Sequence, residues 1–103
     1  MCGIAGIIMR RGYPDEQAIR SLFASLEHRG PDGSGRFDYK ETVFLHKRLS
    51  IIDLETGDQP IKNQNNSVII ANGEIYNYLE LRESLGEKNF HTNSDCEQPL
   101  SLY

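Results

Sequence analysis

The feature that most constrains the fold is an apolar run near the start of the chain, from Ile4 to Met9. Its apolar residues fall on both alternating faces, as in a strand covered on two sides, and Gly3 and Gly6 let another backbone come close. We therefore predict a central strand here. The run is far shorter than the roughly 20 residues that cross a bilayer. It follows no basic region and contains no small-residue cleavage site, so we expect a cytoplasmic chain without a secretory signal.

Length and charge narrow the range of functions. A chain of 103 residues forms one domain at most. Its 11 basic and 15 acidic residues give a net charge of −4, so we expect no basic face for nucleic acid or for an anionic membrane. A hydrophobic content of 38% and a mean hydropathy of −0.53 indicate a soluble domain with a thin core. Cys2 and Cys96 are interpreted as free thiols, since a reducing cytosol disfavours a structural disulfide.

The pattern along the rest of the chain predicts mixed α+β structure. A helix from Asp15 to His28 is indicated by an acidic start, apolar residues at helical spacing and a following Gly30-Pro31. A short helix ending at Gly86 follows later, and Ser94-Asp95 supplies an N-cap for a last helical segment. The predicted strands, separated by polar turns, are Gly35 to Tyr39, Thr42 to Leu45, Arg48 to Ile52 and Val68 to Ala71.

Cys2 is the most informative residue for chemistry. Removal of Met1 before a small side chain would place the thiol beside a free α-amine, which has an ordinary pKa of about 7.7 to 8.0 and can act as a base. Position alone favours the plainer interpretation, a small buried cysteine at the start of a strand. Cys96 has no base beside it in sequence and is interpreted as an inert thiol.

The other candidates each have a structural interpretation. Asn72-Gly73 is typical of a hairpin turn, although an asparagine amide and a glycine N–H at a strand end can also donate to a developing oxyanion. Arg48 is either a surface charge or a planar fork that holds a carboxylate. Glu74 is either a solvated carboxylate or, together with Asp95, a site for an ammonium group; Asp95 alone is most simply a helix cap.

Histidine spacing gives no metal site, because His28, His46 and His91 lie far apart in sequence. The stretch from Arg29 to Gly35 is a turn-rich loop of the kind that often shapes a ligand site. None of these signals decides the function alone.

Taken in order, the motifs carry a family resemblance. They are Met1-Cys2-Gly3-Ile4-Ala5-Gly6, the stretch from His28 to Gly35 that contains Arg-Gly-Pro-Asp-Gly, His46-Lys47-Arg48-Leu49-Ser50, Asn72-Gly73-Glu74-Ile75-Tyr76-Asn77 and Ser94-Asp95-Cys96-Glu97. Over nearly its whole length the chain resembles the N-terminal glutaminase domain of glutamine-hydrolysing asparagine synthetases. These are class II glutamine amidotransferases with the N-terminal-nucleophile hydrolase fold.

The resemblance implies a role for each matching residue. Cys2 would be the nucleophile that forms a thioester with glutamine. Asn72 and Gly73 would form the oxyanion hole, and Arg48 would hold the α-carboxylate of the substrate. The α-amino group would be bound by Glu74 and Asp95. The partner is then L-glutamine, which is hydrolysed to glutamate and ammonia, with aspartate as the eventual acceptor.

The resemblance also implies that residues 1–103 form the N-terminal portion of a longer domain, a four-layer αββα sandwich that is incomplete in this chain. ATP and Mg²⁺ would belong to a synthetase domain that this chain lacks, and the chain itself would hold no cofactor. Gln98-Pro99 departs from the apolar residues usual there. The oligomeric state, including a homo-oligomer, is left open.

Three alternatives stand beside this interpretation. The chain is a non-catalytic remnant that binds or assembles through exposed sheet edges. It belongs to a related amidotransferase with another ammonia acceptor. Least favoured is a redox or metal protein that uses Cys2 and Cys96.

Overall fold

The computed structural model describes residues 2–49 and 57–102. The described part holds a three-stranded antiparallel sheet in the order β1-β3-β2 and a two-stranded sheet formed by β4 and β5. The strands are β1 (Gly3–Ile8), β2 (Gly33–Tyr39), β3 (Thr42–Arg48), β4 (Ile61–Lys62) and β5 (Val68–Ile69), and the α-helices are α1 (Glu16–Ser25), α2 (Tyr78–Leu85) and α3 (Gln98–Leu102). The prediction of mixed α+β structure is confirmed. The four-layer sandwich stays a prediction.

Helix α1 forms where the sequence predicts it and covers one face of the larger sheet. Its N-cap is Asp15, whose carboxylate accepts a hydrogen bond from the amide of Gln17. The α-helix ends at Ser25, and a separate 3-10 turn over Glu27–Arg29 completes the segment predicted as one helix. The core lies between helix and sheet: the fully buried residues are Ile19, Val43 and Leu45, and Ala5, Ile7, Leu22 and Phe23 pack around them.

The larger sheet differs from the prediction in the place of its first strand. β1 pairs only with β3, which lies in the middle, so in the described part β1 is an edge strand and the prediction of a central strand is wrong. Its exposure also alternates, with Ile4 and Ile8 43% and 74% exposed while Ala5 and Ile7 face the core. Helix α1 covers only one face, so the apolar residues of the other face stay at the surface.

The second face of the sheet is partly covered by the segment that leads into β4. Gly35 of β2 lies directly under it: a Cβ added there would come within 1.6 Å of the carbonyl oxygen of Gln59. Only glycine fits this contact. Further along, the ammonium of Lys62 lies 4.8 Å from the ring centre of Phe37. Gly35 thus allows the segment that leads into β4 to pack directly on the sheet. That segment forms one wall of the site described below.

Two strand predictions change in detail. Val68 to Ala71 is strand only at Val68–Ile69, and these residues are half-buried rather than buried. Its partner, Ile61–Lys62, was not predicted as a strand. Arg48 ends β3 instead of starting a further strand. The remainder of the predicted strand from Arg48 to Ile52, beyond Leu49, lies outside the described residues.

The last third of the chain follows the prediction closely. α2 ends at Leu85, and Gly86 follows with a φ of 90°, a conformation that glycine adopts at low cost. Ser94 caps the last helical segment by accepting a hydrogen bond from the amide of Cys96. Pro99 lies in the first turn of α3, where no intrahelical N–H is lost. No helix among residues 2–49 and 57–102 has the length and apolar character to cross a membrane.

One buried polar side chain lies where it makes no hydrogen bond with the described residues. Gln98 is fully buried, and neither its amide nitrogen nor its amide oxygen has a hydrogen-bond partner among the described residues. We expect Gln98→Leu to raise the free energy of unfolding by about 1–2 kcal/mol, because it removes an unpaired polar group at similar volume. Urea unfolding of the two proteins measures this. The exposed Gln17→Leu is the control and should change stability by less than about 0.5 kcal/mol. A loss of stability in Gln98→Leu would contradict the prediction.

Candidate active site

The predicted site residues line a single cleft of about 250 Å³. They come from distant parts of the sequence: the start of β1, the end of β3, the loop after β5 and the turn before α3. Those that share the cleft are Cys2, Arg48, Asn72, Gly73, Glu74 and Asp95. Sequence separation gave no reason for these side chains to meet, so their convergence is a finding of the structure.

Cys2 lies at the entry to β1, half-buried against the end of β3. Its sulfur accepts a hydrogen bond from the amide of Leu49 at 3.3 Å and lies 3.5 Å from the carbonyl oxygen of the same residue. The carbonyl of Cys2 accepts a bond from Nε of Arg29 at 3.4 Å. The thiol is therefore held at the wall of the cleft, against the backbone of Leu49, the residue that follows Arg48. The role of Cys2 as the nucleophile stays a prediction.

Arg48 is not a surface charge, so that interpretation is wrong. It is the last residue of β3 and is only 5% exposed. Its Nη1 donates to Oδ1 of Asp58 at 2.7 Å. Close by, a Cβ at Gly30 would lie 2.5 Å from the amide nitrogen of Arg48, so this part of the turn-rich loop packs directly on the backbone behind the arginine. The guanidinium is thus a buried cation at the cleft, on a strand end against which Gly30 packs closely.

Asn72-Gly73 is not a hairpin turn. The chain runs from β5 through these residues to α2 rather than back into an antiparallel strand. Just before them, Ala71 is held on both sides: its amide donates to Oε1 of Gln59 at 2.6 Å, and its carbonyl oxygen lies 3.2 Å from Nε2 of His46. A Cβ at Gly73 would meet no atom within 4 Å, so that position faces open space. The loop is anchored where it begins and open where Gly73 lies.

Asp95 does not act as the helix cap, which is Ser94. Its Oδ2 instead accepts a hydrogen bond from the amide of Ile75 at 2.7 Å, and the residue is buried. This bond ties the turn before α3 to the loop that carries Gly73 and Glu74. Glu74 itself is exposed at the cleft. The carboxylates of Glu74 and Asp95 therefore line the same cleft as the cation of Arg48.

Glu97 stabilises the turn that carries Asp95. It is 2% exposed, and its carboxylate accepts hydrogen bonds from the amides of His91 and Thr92 and from the hydroxyl of Thr92, at 2.6–2.7 Å. Each bond to a buried carboxylate is charge-assisted, so this cluster fixes the backbone ahead of Ser94.

The second thiol also lies in the cleft, which the sequence did not predict. Cys96 lines it, with its sulfur 3.6 Å from the carbonyl oxygen of Gly73. Burial raises the pKa of Cys96 to about 11, and the negative charge of Asp95 adds to the effect. Because the thiolate is the reactive form, Cys96 is a poor nucleophile near neutral pH, in agreement with its interpretation as an inert thiol.

Sequence reasoning missed several residues that shape the site. Gln59 and His46 fix Ala71, and Asp58 pairs with Arg48. Burial lowers the pKa of His46, and the charge of Arg48 acts in the same direction, so the imidazole is neutral at pH 7. It donates to Ala71 through Nε2, since a carbonyl oxygen only accepts. His46 lies within a quoted motif, but its contact with Ala71 could not be predicted, and no sequence pattern marks Gln59 or Asp58. Each of the three acts through a partner at least ten positions away.

In the described part of the chain, no group of three or more His, Cys, Asp or Glu side chains is arranged so that it could hold a metal ion. The three histidines are separate: His46 is buried behind the cleft, and His28 and His91 are exposed.

Comparison with known proteins gives the family. A family model described as a glutamine amidotransferase domain matches residues 1–103. The chain belongs to this family. The glutamine amidotransferase domain is also 42% identical over 106 residues to the asparagine synthetase [glutamine-hydrolyzing] 1 of Lotus japonicus, covering 100% of this chain and 18% of that protein.

Other relatives agree with this assignment. The asparagine synthetase [glutamine-hydrolyzing] of Brassica oleracea is 42% identical over 106 residues, with 100% of this chain and 18% of the relative covered. The probable asparagine synthetase [glutamine-hydrolyzing] of Dictyostelium discoideum is 40% identical over 109 residues, with 100% and 20% covered. The amidotransferase chain therefore spans about one fifth of the length of these curated relatives.

Proposed function

We propose that the chain carries the glutaminase site of an asparagine synthetase-like amidotransferase, which hydrolyses L-glutamine to glutamate and ammonia. One observation carries the proposal: a thiol, a guanidinium, an amide and two carboxylates share one cleft. This set is complementary to an α-amino acid with a side-chain amide. The cation suits the α-carboxylate, the carboxylates suit the ammonium group, and the thiol suits the amide carbonyl.

The binding half of the proposal rests on charge. Arg48 offers a planar set of N–H donors, which matches a carboxylate better than an ammonium would. Asp95 and Glu74 supply negative charge for the α-amino group. Since Asp95 uses Oδ2 to hold Ile75, its other oxygen is the one assigned to the substrate. Charge at both ends of the substrate's backbone then orients its side chain towards Cys2.

The chemical half begins with removal of Met1, which frees the α-amine of Cys2. The amine takes the thiol proton, and the thiolate attacks the side-chain amide carbon of glutamine. The amide of Asn72 and the N–H of Gly73 donate to the oxyanion that forms. The amine returns the proton to the leaving nitrogen, ammonia departs, and a γ-glutamyl thioester remains. Water attacks this thioester, which yields glutamate and restores the thiol.

The fate of the ammonia belongs to the longer protein. The names of the relatives support asparagine synthesis. We assign activated aspartate as the acceptor, and ATP and Mg²⁺ to a synthetase domain outside this chain. An enzyme with another ammonia acceptor would use the same cleft. The four-layer sandwich, completed by residues beyond those described, is part of this proposal. The cytoplasmic location stays a prediction, and the oligomeric state stays open.

One observation favours the second candidate function, a non-catalytic assembly module. β1 is an edge strand in the described part, and its Ile4 and Ile8 are exposed. Such an edge can pair with another chain. A protein that self-associates through β1 and turns over no glutamine would fit this alternative and reject the glutaminase.

The proposal is tested by replacing Arg48 with lysine in the full protein that carries this sequence. Lysine keeps the charge but loses the two-pronged contact with a carboxylate, so we expect kcat/KM for L-glutamine to fall about 10- to 100-fold, mainly through KM. Release of glutamate and ammonia is measured against the Lys47→Arg control, which alters a neighbouring residue outside the cleft lining. Wild-type protein without glutaminase activity, or Arg48→Lys with an unchanged KM, would count against the proposal.

A further inference from the structure

The cation assigned to the substrate already has a carboxylate beside it. Nη1 of Arg48 donates to Oδ1 of Asp58 at 2.7 Å, the distance of a strong charge-assisted hydrogen bond. The two partners differ sharply in environment. The side chain of Arg48 is 6% exposed, whereas that of Asp58 is 77% exposed. A buried cation is therefore paired with a carboxylate that lies almost wholly in water.

This asymmetry decides which partner can move. Arg48 is held by the β3 backbone and by the close packing of Gly30 behind it. The Asp58 carboxylate can rotate into solvent, because its side chain is 77% exposed and an arriving substrate carboxylate would take its place beside the buried cation. The backbone of Asp58 stays in place in such a movement, since the next residue, Gln59, is buried and bonded to Ala71. Only the side chain needs to swing.

We infer that Asp58 is an internal competitor for the α-carboxylate of glutamine and sets the affinity of the cleft for its substrate. The inference rests on the proposed role of Arg48. With substrate absent, Asp58 neutralises the guanidinium. A substrate carboxylate approaching the same cation meets a like charge within a few ångströms, and the two repel. Binding therefore requires the Asp58 side chain to leave, and the free energy of that step raises KM.

The inference is specific to ligands with a carboxylate at that end. A glutamine whose α-carboxylate is replaced by a neutral carboxamide has no negative charge at that end, so the carboxylate of Asp58 does not repel it. Its binding should therefore be weaker than that of glutamine and insensitive to the charge at residue 58. This difference separates competition from any general effect of residue 58 on the shape of the cleft.

The experiment measures kcat and KM of the full protein with L-glutamine and with L-glutaminamide. Asp58→Asn keeps the shape and removes the charge. We expect KM for L-glutamine to fall about three- to tenfold, with kcat within about twofold, and KM for L-glutaminamide to stay unchanged. Asp58→Ala should give the same direction. Asp38→Asn is the matched control, because Asp38 pairs with Arg36 outside the cleft lining and should leave both KM values unchanged.

The outcomes separate this inference from the proposed function. If Arg48→Lys weakens glutamine use while Asp58→Asn leaves KM for glutamine unchanged, the inference is overturned and the glutaminase stands. A raised KM in Asp58→Asn also overturns it, and shows that Asp58 positions the guanidinium instead of competing for it. Equal effects on both substrates reject competition as well. A wild-type protein that turns over neither substrate rejects the function and the inference together.

Discussion

Glutamine hydrolysis should fall at least about 1,000-fold when Cys2 is replaced by serine in the full protein, because a hydroxyl is a far weaker nucleophile than a thiol beside the same amine. Serine is also small, so removal of Met1 should continue, and intact mass measures whether it does. The fall should appear in kcat. Release of glutamate from L-glutamine is the measurement.

Cys96→Ser is the matched control for that experiment. Both thiols line the same cleft, and both variants make the same change of sulfur to oxygen. We expect Cys96→Ser to keep its rate within about threefold, since a buried thiol with a pKa of about 11 supplies almost no thiolate at neutral pH. Equal losses in the two variants would contradict the assignment of Cys2 as the nucleophile.

Covalent labelling should separate the two thiols by a still wider margin. An electrophilic glutamine analogue should modify Cys2 at pH 8 and leave Cys96 unmodified. With a pKa of about 11, Cys96 is on the order of 0.1% thiolate at that pH. Its labelling rate should rise about tenfold with each pH unit between 8 and 10, because deprotonation creates the reactive form. Peptide mass spectrometry measures both sites.

The control for the labelling is an electrophile without the glutamine backbone, such as iodoacetamide. Its selectivity for Cys2 should be smaller, because it gains nothing from Arg48 or Asp95. Labelling of Cys96 at a rate independent of pH, or preferred labelling of Cys96 by the analogue, would show that the thiol environments have been assigned the wrong way round.

Local structure could be predicted wherever a short-range signal determines it. The α1 cap at Asp15, the end of α2 at Gly86 and the cap at Ser94 are each specified by residues within four positions. Strand order could not be predicted. The apolar run from Ile4 to Met9 fits a strand covered on both faces, but which strand lies beside it depends on pairing with residues some forty positions away. β1 consequently lies at an edge in the described part.

The residues of the site also fall into a group that could be predicted and a group that could not. Its chemical groups could be predicted from motif order, because each motif carries its own reactive residue. The residues that position those groups could not be predicted. Gln59 and His46 hold Ala71 from two different elements, and Asp58 meets Arg48 across a stretch of chain. Even where such a residue lies within a motif, as His46 does, a single sequence does not show which distant atom it contacts.

The distribution of the cleft along the chain affects when the nucleophile can work during synthesis. Cys2 is synthesised about 90 residues before Asp95. At 5–20 residues per second, that gap lasts roughly 5–20 seconds. Throughout this interval the thiol has neither the loop at Gly73 in its final place nor the carboxylate that ties that loop down. A nascent chain therefore carries the thiol before the rest of its cleft has been synthesised, so the order of synthesis delays the assembly of the site.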